Sequence, residues 1–217
     1  WWRALIVYLC CAGQRREHWW GLTWQHVDLP GKQVWGTPEL SKTEDEQWIP
    51  LSSVLAAYLE LLVPREPLWG QVLATFEERP GSRYRRKWGT REDILAAQQR
   101  VFAWFDSRRG KLLDKTCFYP RWRAIQERAG IRPHPRYGFY HPHELRKTSG
   151  TRYREHFGED VAMAFLGHRN PSTFRDHYDS SKAARMTAAA EEMPKLLGIE
   201  APAEGSPDRQ LDLFDWR

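Results

Sequence analysis

Residues 141–150 read HPHELRKTSG and put a histidine, an arginine and a helix-start signal within six positions. A helix repeats every ~3.6 residues, so positions three apart share a face. Pro142 fits a first helical turn, where its missing N–H costs nothing, and Glu144 favours the positive N-terminal end of a helix. His143 and Arg146 would then project side by side from a helix start. Two adjacent donors of this kind suit a phosphate; they equally suit a surface pair. This stretch alone leaves both readings open.

The surrounding composition sets the bounds. A chain of 217 residues is long enough for one sizeable domain, or a domain with an appendage. Lys and Arg outnumber Asp and Glu by 33 to 28, a basic balance that permits a polyanionic partner without requiring one. The twelve tryptophans read as core rather than base-stacking residues, because most (Trp1, Trp2, Trp19, Trp20, Trp104) lie in apolar runs. Three cysteines, two of them adjacent (Cys10, Cys11, Cys117), argue against a disulfide framework and fit a reducing cytoplasm. No C-x-x-C zinc pattern occurs, and His141 with His143 has no further ligands at suitable spacing. The longest apolar run, Ala4 to Ala12, is too short to span a bilayer and lacks a signal-peptide layout, so no membrane partner is expected. The sequence begins without Met, inside what reads as a helix, as a fragment or excised domain would.

Along the chain, a buried helix is expected over residues 1–12 with a stop near Gly13, followed by a short one at about 15–24. Pro30 and Gly31 mark a turn; Gln33 to Thr37 reads as a strand, and 40–50 as a hairpin. Further helices are expected at 51–62, 119–129 (stopped by Gly130), about 142–156, 159–166, 171–178 and 182–197. Residues 75–100 give no clear pattern, and the tail beyond Glu200, rich in Pro, Ala, Gly and charge, reads as disordered. The fold class is therefore mainly α, a helical domain with one small antiparallel three-stranded sheet. The division expected is 1–198 for the domain and 199–217 for a flexible tail.

Three more stretches bear on His143 and Arg146. AGQRREHWWGLTW places Arg15 at a helix start, and LSKTEDEQWIPL offers Lys42 on a hairpin arm. FLGHRNPSTFRDHYDSS offers His168 after Leu-Gly, and Tyr178. In this order the set resembles the catalytic domain of tyrosine recombinases, the phage-integrase family, over most of residues 1–185. The motifs that carry the likeness are GQRREHWWGLTW, SKT, HELRKT and LGHRNPSTFRDHY.

The resemblance implies a site-specific DNA strand-exchange enzyme working on double-stranded DNA, as a homotetramer on two duplexes. Arg15 and Arg146 would grip the non-bridging oxygens of the scissile phosphate, a task suited to a planar, permanently charged fork. Tyr178 would be the nucleophile, giving a 3′-phosphotyrosyl intermediate. Lys42 would protonate the leaving 5′ oxygen, His143 would act as general acid/base towards the tyrosine, and His168 would hydrogen-bond the phosphate. No metal or other cofactor is implied, because the arginines replace a cationic clamp. The N-terminal core-binding domain that family members usually carry is not represented.

One position departs from the pattern. Three residues after the first arginine the family usually has an acidic residue; here it is His18, with Glu17 one step earlier. Either Glu17 has taken that role through a local shift, or the support of Arg15 differs. Arg16 is the alternative ligand, but Gly13-Gln14-Arg15 with Leu22-Thr23-Trp24 downstream favours Arg15.

Taken singly, each residue has a plainer reading: a solvated Arg15, an edge-guarding Lys42, a helix-capping His168, a buried-edge Tyr178. The competing functions are a type IB topoisomerase, which shares the chemistry, and a catalytically decayed DNA-binding domain. Two peripheral segments add candidates. Arg83, Arg85, Arg86 and Lys87 form a basic run that would track a DNA backbone or lie in a solvated loop. Gln210, Leu211, Asp212, Leu213 and Phe214 (QLDLF) resemble the pentapeptide by which bacterial proteins bind the polymerase sliding clamp. The plainer reading is a tail packed on a neighbouring subunit.

Overall fold

The computed structural model describes residues 1–36, 47–63, 91–103, 105–106, 111–112, 115–167 and 180–202. Among the described residues the order is α1 (Trp2–Ala12), α2 (Arg16–Gly21), a 3₁₀ turn (Trp24–His26), β1 (Val27–Asp28), β2 (Gln33–Gly36), β3 (Gln47–Pro50) and α3 (Ser53–Glu60). Then come α4 (Arg91–Gln98), β4 (Phe105–Asp106), β5 (Lys111–Leu112), α5 (Lys115–Arg128), α6 (Pro142–Phe157), α7 (Glu159–Leu166) and α8 (Ser180–Leu196). The fold is mostly helical with a small three-stranded antiparallel sheet, as the sequence implies; its order is β1-β2-β3, and Val34 faces both Val27 and Ile49. The two-residue strands β4 and β5 add a minor second pairing.

Helix α1 is the axis of the core. Its residues Trp2, Ala4, Leu5, Val7, Tyr8, Leu9, Cys11 and Ala12 are all buried, as expected of a helix apolar nearly all round. It packs against α3, α6 and α8. Among the described residues the tryptophans turn largely inward: Trp2 meets Phe118 at 5.3 Å and Trp122 at 6.2 Å, and Trp19 meets Phe118 at 5.3 Å. Such offset and edge pairs contribute beyond their buried area. Trp48 departs from this, lying exposed on the sheet and stacked on Trp35.

Two helices have a boundary more than two residues from the sequence expectation. The helix expected at about 15–24 stops at Gly21, because Leu22 and Trp24 pair with a distant strand-like segment: Val101 N–H donates to Leu22 O (2.9 Å) and Trp24 N–H to Gln99 O (2.9 Å). The helix expected from Tyr119 starts earlier, at Lys115, and runs through Pro120. Pro120 forfeits one helical N–H, and the turn around it is held by Phe118, buried in the aromatic core.

Helix α8 is tied back to the body at both ends of its described face. The Glu191 carboxylate accepts from the Ser53 N–H (2.9 and 3.0 Å) and from Lys32 Nζ (3.4 Å). Arg185 pairs with Asp160 of α7 at 2.8 Å.

Candidate active site

Three chain segments meet where α1 ends, α6 begins and α7 ends. Helix α1 closes on Gly13, whose φ of 60° lies in the left-handed region glycine tolerates. A Cβ there would also stand 2.9 Å from Ser149 Oγ and 3.1 Å from Leu166 Cδ2. The chain therefore turns sharply against α6 and α7. Gln14 is buried in the turn and its amide donates to Ala12 O (2.9 Å) and Phe165 O (2.7 Å), binding the end of α1 to α7. Arg15 follows in extended conformation as the N-cap of α2, and is partly exposed.

Arg146 completes the junction from the other side. Only 4% of its surface is exposed. Its Nη1 donates to Gly13 O (2.6 Å) and its Nη2 to Leu166 O (2.5 Å). Because guanidinium is planar, two such bonds to carbonyls of different elements fix the orientation of the whole group. Burial and the like charge of Arg15 push its pKa down to about 10. It stays protonated at neutral pH, but in a position where an added anion would relieve both penalties.

His143 stands one helical turn before Arg146, on the exposed side of α6. Its pKa is held below the ordinary histidine value by partial burial, then by the charges of Arg146 and Lys147, with Arg15 contributing. Arg15, His143 and Arg146 therefore lie within electrostatic reach of one another, and that surrounding positive charge disfavours the protonated form of His143. Glu144 opens α6 as the sequence suggests and pairs with Lys147 at 2.8 Å, at the surface.

The departure at position 18 takes a definite form. Glu17 is exposed and bonds Arg16 at 2.6 Å, while Arg16 also reaches the Tyr119 hydroxyl at 3.4 Å. His18 turns inward, is 4% exposed, lies parallel to the Tyr8 ring and shares a 3.1 Å hydrogen bond between its Nδ1 and the Tyr8 hydroxyl. Its Nε2 is buried without a hydrogen-bond partner. Burial first, then the charges of His26 and Arg146, lowers its pKa to about 4, so it is neutral at pH 7. At this position the chain thus carries a neutral, buried ring bonded to α1 rather than an acid.

Lys42, His168 and Tyr178 lie outside the described residues, as do Arg83, Arg85, Arg86 and Lys87 and the tail pentapeptide Gln210 to Phe214. Sequence reasoning missed Gln14, Tyr8 and Ser149. Gln14 had one signal, its place between the turn glycine and Arg15; the Tyr8 hydroxyl meets His18 on the next helix, and the Ser149 hydroxyl is buried beside Gly13 without a hydrogen-bond partner.

The model of the phage integrase family matches residues 1–185 of the chain. The chain belongs to the phage integrase family. No curated protein matches it. Among solved structures, the crystal structure of the XerH site-specific recombinase bound to difH substrate, a pre-cleavage complex, matches with 17% identity and a TM-score of 0.44. The match covers 91% of this chain and 44% of that one, so this member of the phage integrase family spans under half the length of the solved recombinase. At that distance the likeness does not bear on the site. Among the described residues, no helix is long and apolar enough to cross a membrane, and no group of His, Cys, Asp and Glu is placed to hold a metal ion.

Proposed function

We propose that residues 1–198 are the catalytic domain of a site-specific DNA recombinase, with 199–217 as a tail, and that it cleaves and rejoins strands through a 3′-phosphotyrosyl intermediate. The observation that carries this reading is the convergence of Arg15, His143 and Arg146 at one junction, with Arg146 oriented by two backbone carbonyls. A phosphodiester is the anion such a constellation suits: two guanidinium forks for its non-bridging oxygens and a neutral imidazole for proton transfer.

In the proposed step the Tyr178 hydroxyl oxygen attacks phosphorus and the bond from phosphorus to the 5′ oxygen breaks. His143 takes the tyrosine proton and Lys42 gives one to the leaving oxygen. Arg15 and Arg146, with His168, hold the extra negative charge of the transition state. Removing one pre-aimed donor of this kind costs about 10²–10³ in rate. The phosphotyrosyl bond keeps the energy of the phosphodiester, so a 5′-hydroxyl from another strand can reverse the step. Double-stranded DNA is the substrate, and exchange between two duplexes calls for four copies of the chain.

A second reading, a decayed DNA-binding domain, is favoured by one observation: a neutral, buried His18 stands where the family usually has an acid. Covalent trapping separates the two. The chain is incubated with nicked, partly randomised duplex, quenched in SDS and resolved for a protein–DNA adduct, with Tyr178→Phe as control. An adduct that disappears in Tyr178→Phe is expected. DNA binding without any adduct would transfer the argument to the decayed domain.

A further inference from the structure

We infer that the loop from Ile131 to Tyr140 is a docking surface for the sugar–phosphate backbone of the DNA strand that enters the candidate site at His143. This rests on the recombinase reading and extends it to a stretch that no motif covers.

The loop is exposed over most of its length, with Ile131 at 47%, Tyr137 at 49% and Tyr140 at 37%. Large apolar groups left in water on a single loop call for a partner. Charge states what kind. From Arg128 to His143 the sequence holds Arg132 and Arg136, with His134 and His141, and not one acidic residue. The Arg136 guanidinium lies 5.3 Å from the centre of the Tyr137 ring, an exposed cation–π pair. A cationic, aromatic surface fits a phosphate backbone with its sugars and base faces, and repels a basic partner such as a second copy of this loop.

The loop is also built to hold its shape. His134 Nδ1 accepts from the N–H groups of Arg136 and Tyr137, both at 3.1 Å, and the Gly138 N–H donates to His134 O at 2.9 Å. Tyr140 is clamped on α5: its N–H donates to Gln126 Oε1 (2.8 Å), and its carbonyl accepts from Gln126 Nε2 (2.8 Å) and Trp122 Nε1 (2.6 Å). Pro133 and Pro135 stiffen the rest. A surface ordered before binding loses little conformational entropy on contact.

Its position is continuous with the junction. His141, the N-cap of α6, stands two residues before His143 and packs against Phe139, Tyr137 and Tyr119. The Tyr119 hydroxyl in turn meets Arg16, next to Arg15. One face thus runs from Arg15 and Arg16 past Tyr119 and His141 to Tyr137 and Arg136.

The test is a salt titration of duplex binding with the full chain. Each phosphate contact contributes about 0.9 to the slope of log affinity against log salt. The double variant Arg132→Gln with Arg136→Gln is expected to lower the slope by about 2. The double lysine variant, which keeps the charges, is expected to restore it. Tyr137→Ser is expected to weaken binding about 5- to 10-fold with the slope unchanged. Thermal melting of each variant matched to the wild type excludes misfolding as the cause. Adduct formation by Tyr178 is measured in parallel. An adduct with an unchanged slope overturns the loop and leaves the recombinase reading standing. A lowered slope without adduct keeps the loop as a DNA surface and rejects the catalytic step. Wild-type protein that does not bind duplex overturns both. A slope unchanged while the variants alter sedimentation of the chain alone assigns the surface to protein contact and overturns the proposal.

Discussion

Arg136 and Arg146, on either side of one helix start, carry the same guanidinium into opposite surroundings. Arg146 is buried, and both its terminal nitrogens donate to carbonyls at the ends of α1 and α7. Arg136 lies in the open over a tyrosine ring. A buried cation costs free energy unless its donors are satisfied, so the structure around Arg146 is committed to it: Gly13 turns the chain, Gln14 staples α1 to α7, and His18 stays neutral. An exposed cation costs little and commits nothing. Precision therefore resides at the junction, which aims a charge, while the loop only offers one.

That contrast can be broken by substitution. Arg146→Ala is expected to lower the cleavage rate by about 10²–10³. It also leaves two carbonyls without donors, a loss of about 1–3 kcal/mol each where water cannot enter. Arg146→Lys should not rescue it, since one ammonium cannot span both carbonyls with a planar fork; full activity in single-turnover cleavage would dissolve the distinction between aimed and offered charge.

The neutral His18 sharpens the same comparison through pH. Its folded pKa of about 4 lies below its ordinary value of 6.5, so between those limits the unfolded chain binds the extra proton. Stability therefore rises with pH across that window, is fully present above about 6.5 and is lost towards pH 4. A shift of this size corresponds to about 3 kcal/mol. Chemical denaturation at several pH values measures it, and His18→Gln, which does not titrate, should flatten that part of the profile.

Gly13→Ala is expected to destabilise the fold by about 2 kcal/mol, combining a positive φ with a contact on Ser149 and Leu166. Arg136→Ala should change stability by no more than about 0.5 kcal/mol. A large loss there, in the same melting series, would show that the loop arginine is structural after all.

The parts legible in sequence were those governed by local chemistry. Gly13 and Pro142 mark the end of α1 and the start of α6 because a positive φ and a missing N–H are properties of single residues. The three-residue spacing of His143 and Arg146 was legible for the same reason. The early stop of α2 was not, since it depends on Leu22 and Trp24 bonding to residues 99–101, far along the chain. Nor was the inward turn of His18, which follows from the Tyr8 hydroxyl on α1. The orientation of Arg146 needs carbonyls from α1 and α7 together, and no window of sequence contains both.

Arg15 and Arg146 are proposed to answer the negative charge of a phosphate. The most direct measurement uses the cleavage site recovered from the trapped adduct, with that phosphate replaced by a neutral methylphosphonate. Single-turnover cleavage is then compared for wild type and Arg15→Ala on both substrates. The expected result is a deficit of about 10²–10³ for Arg15→Ala on the ordinary phosphate, shrinking to a few-fold when the charge it serves is gone. An equal deficit on both substrates would contradict it.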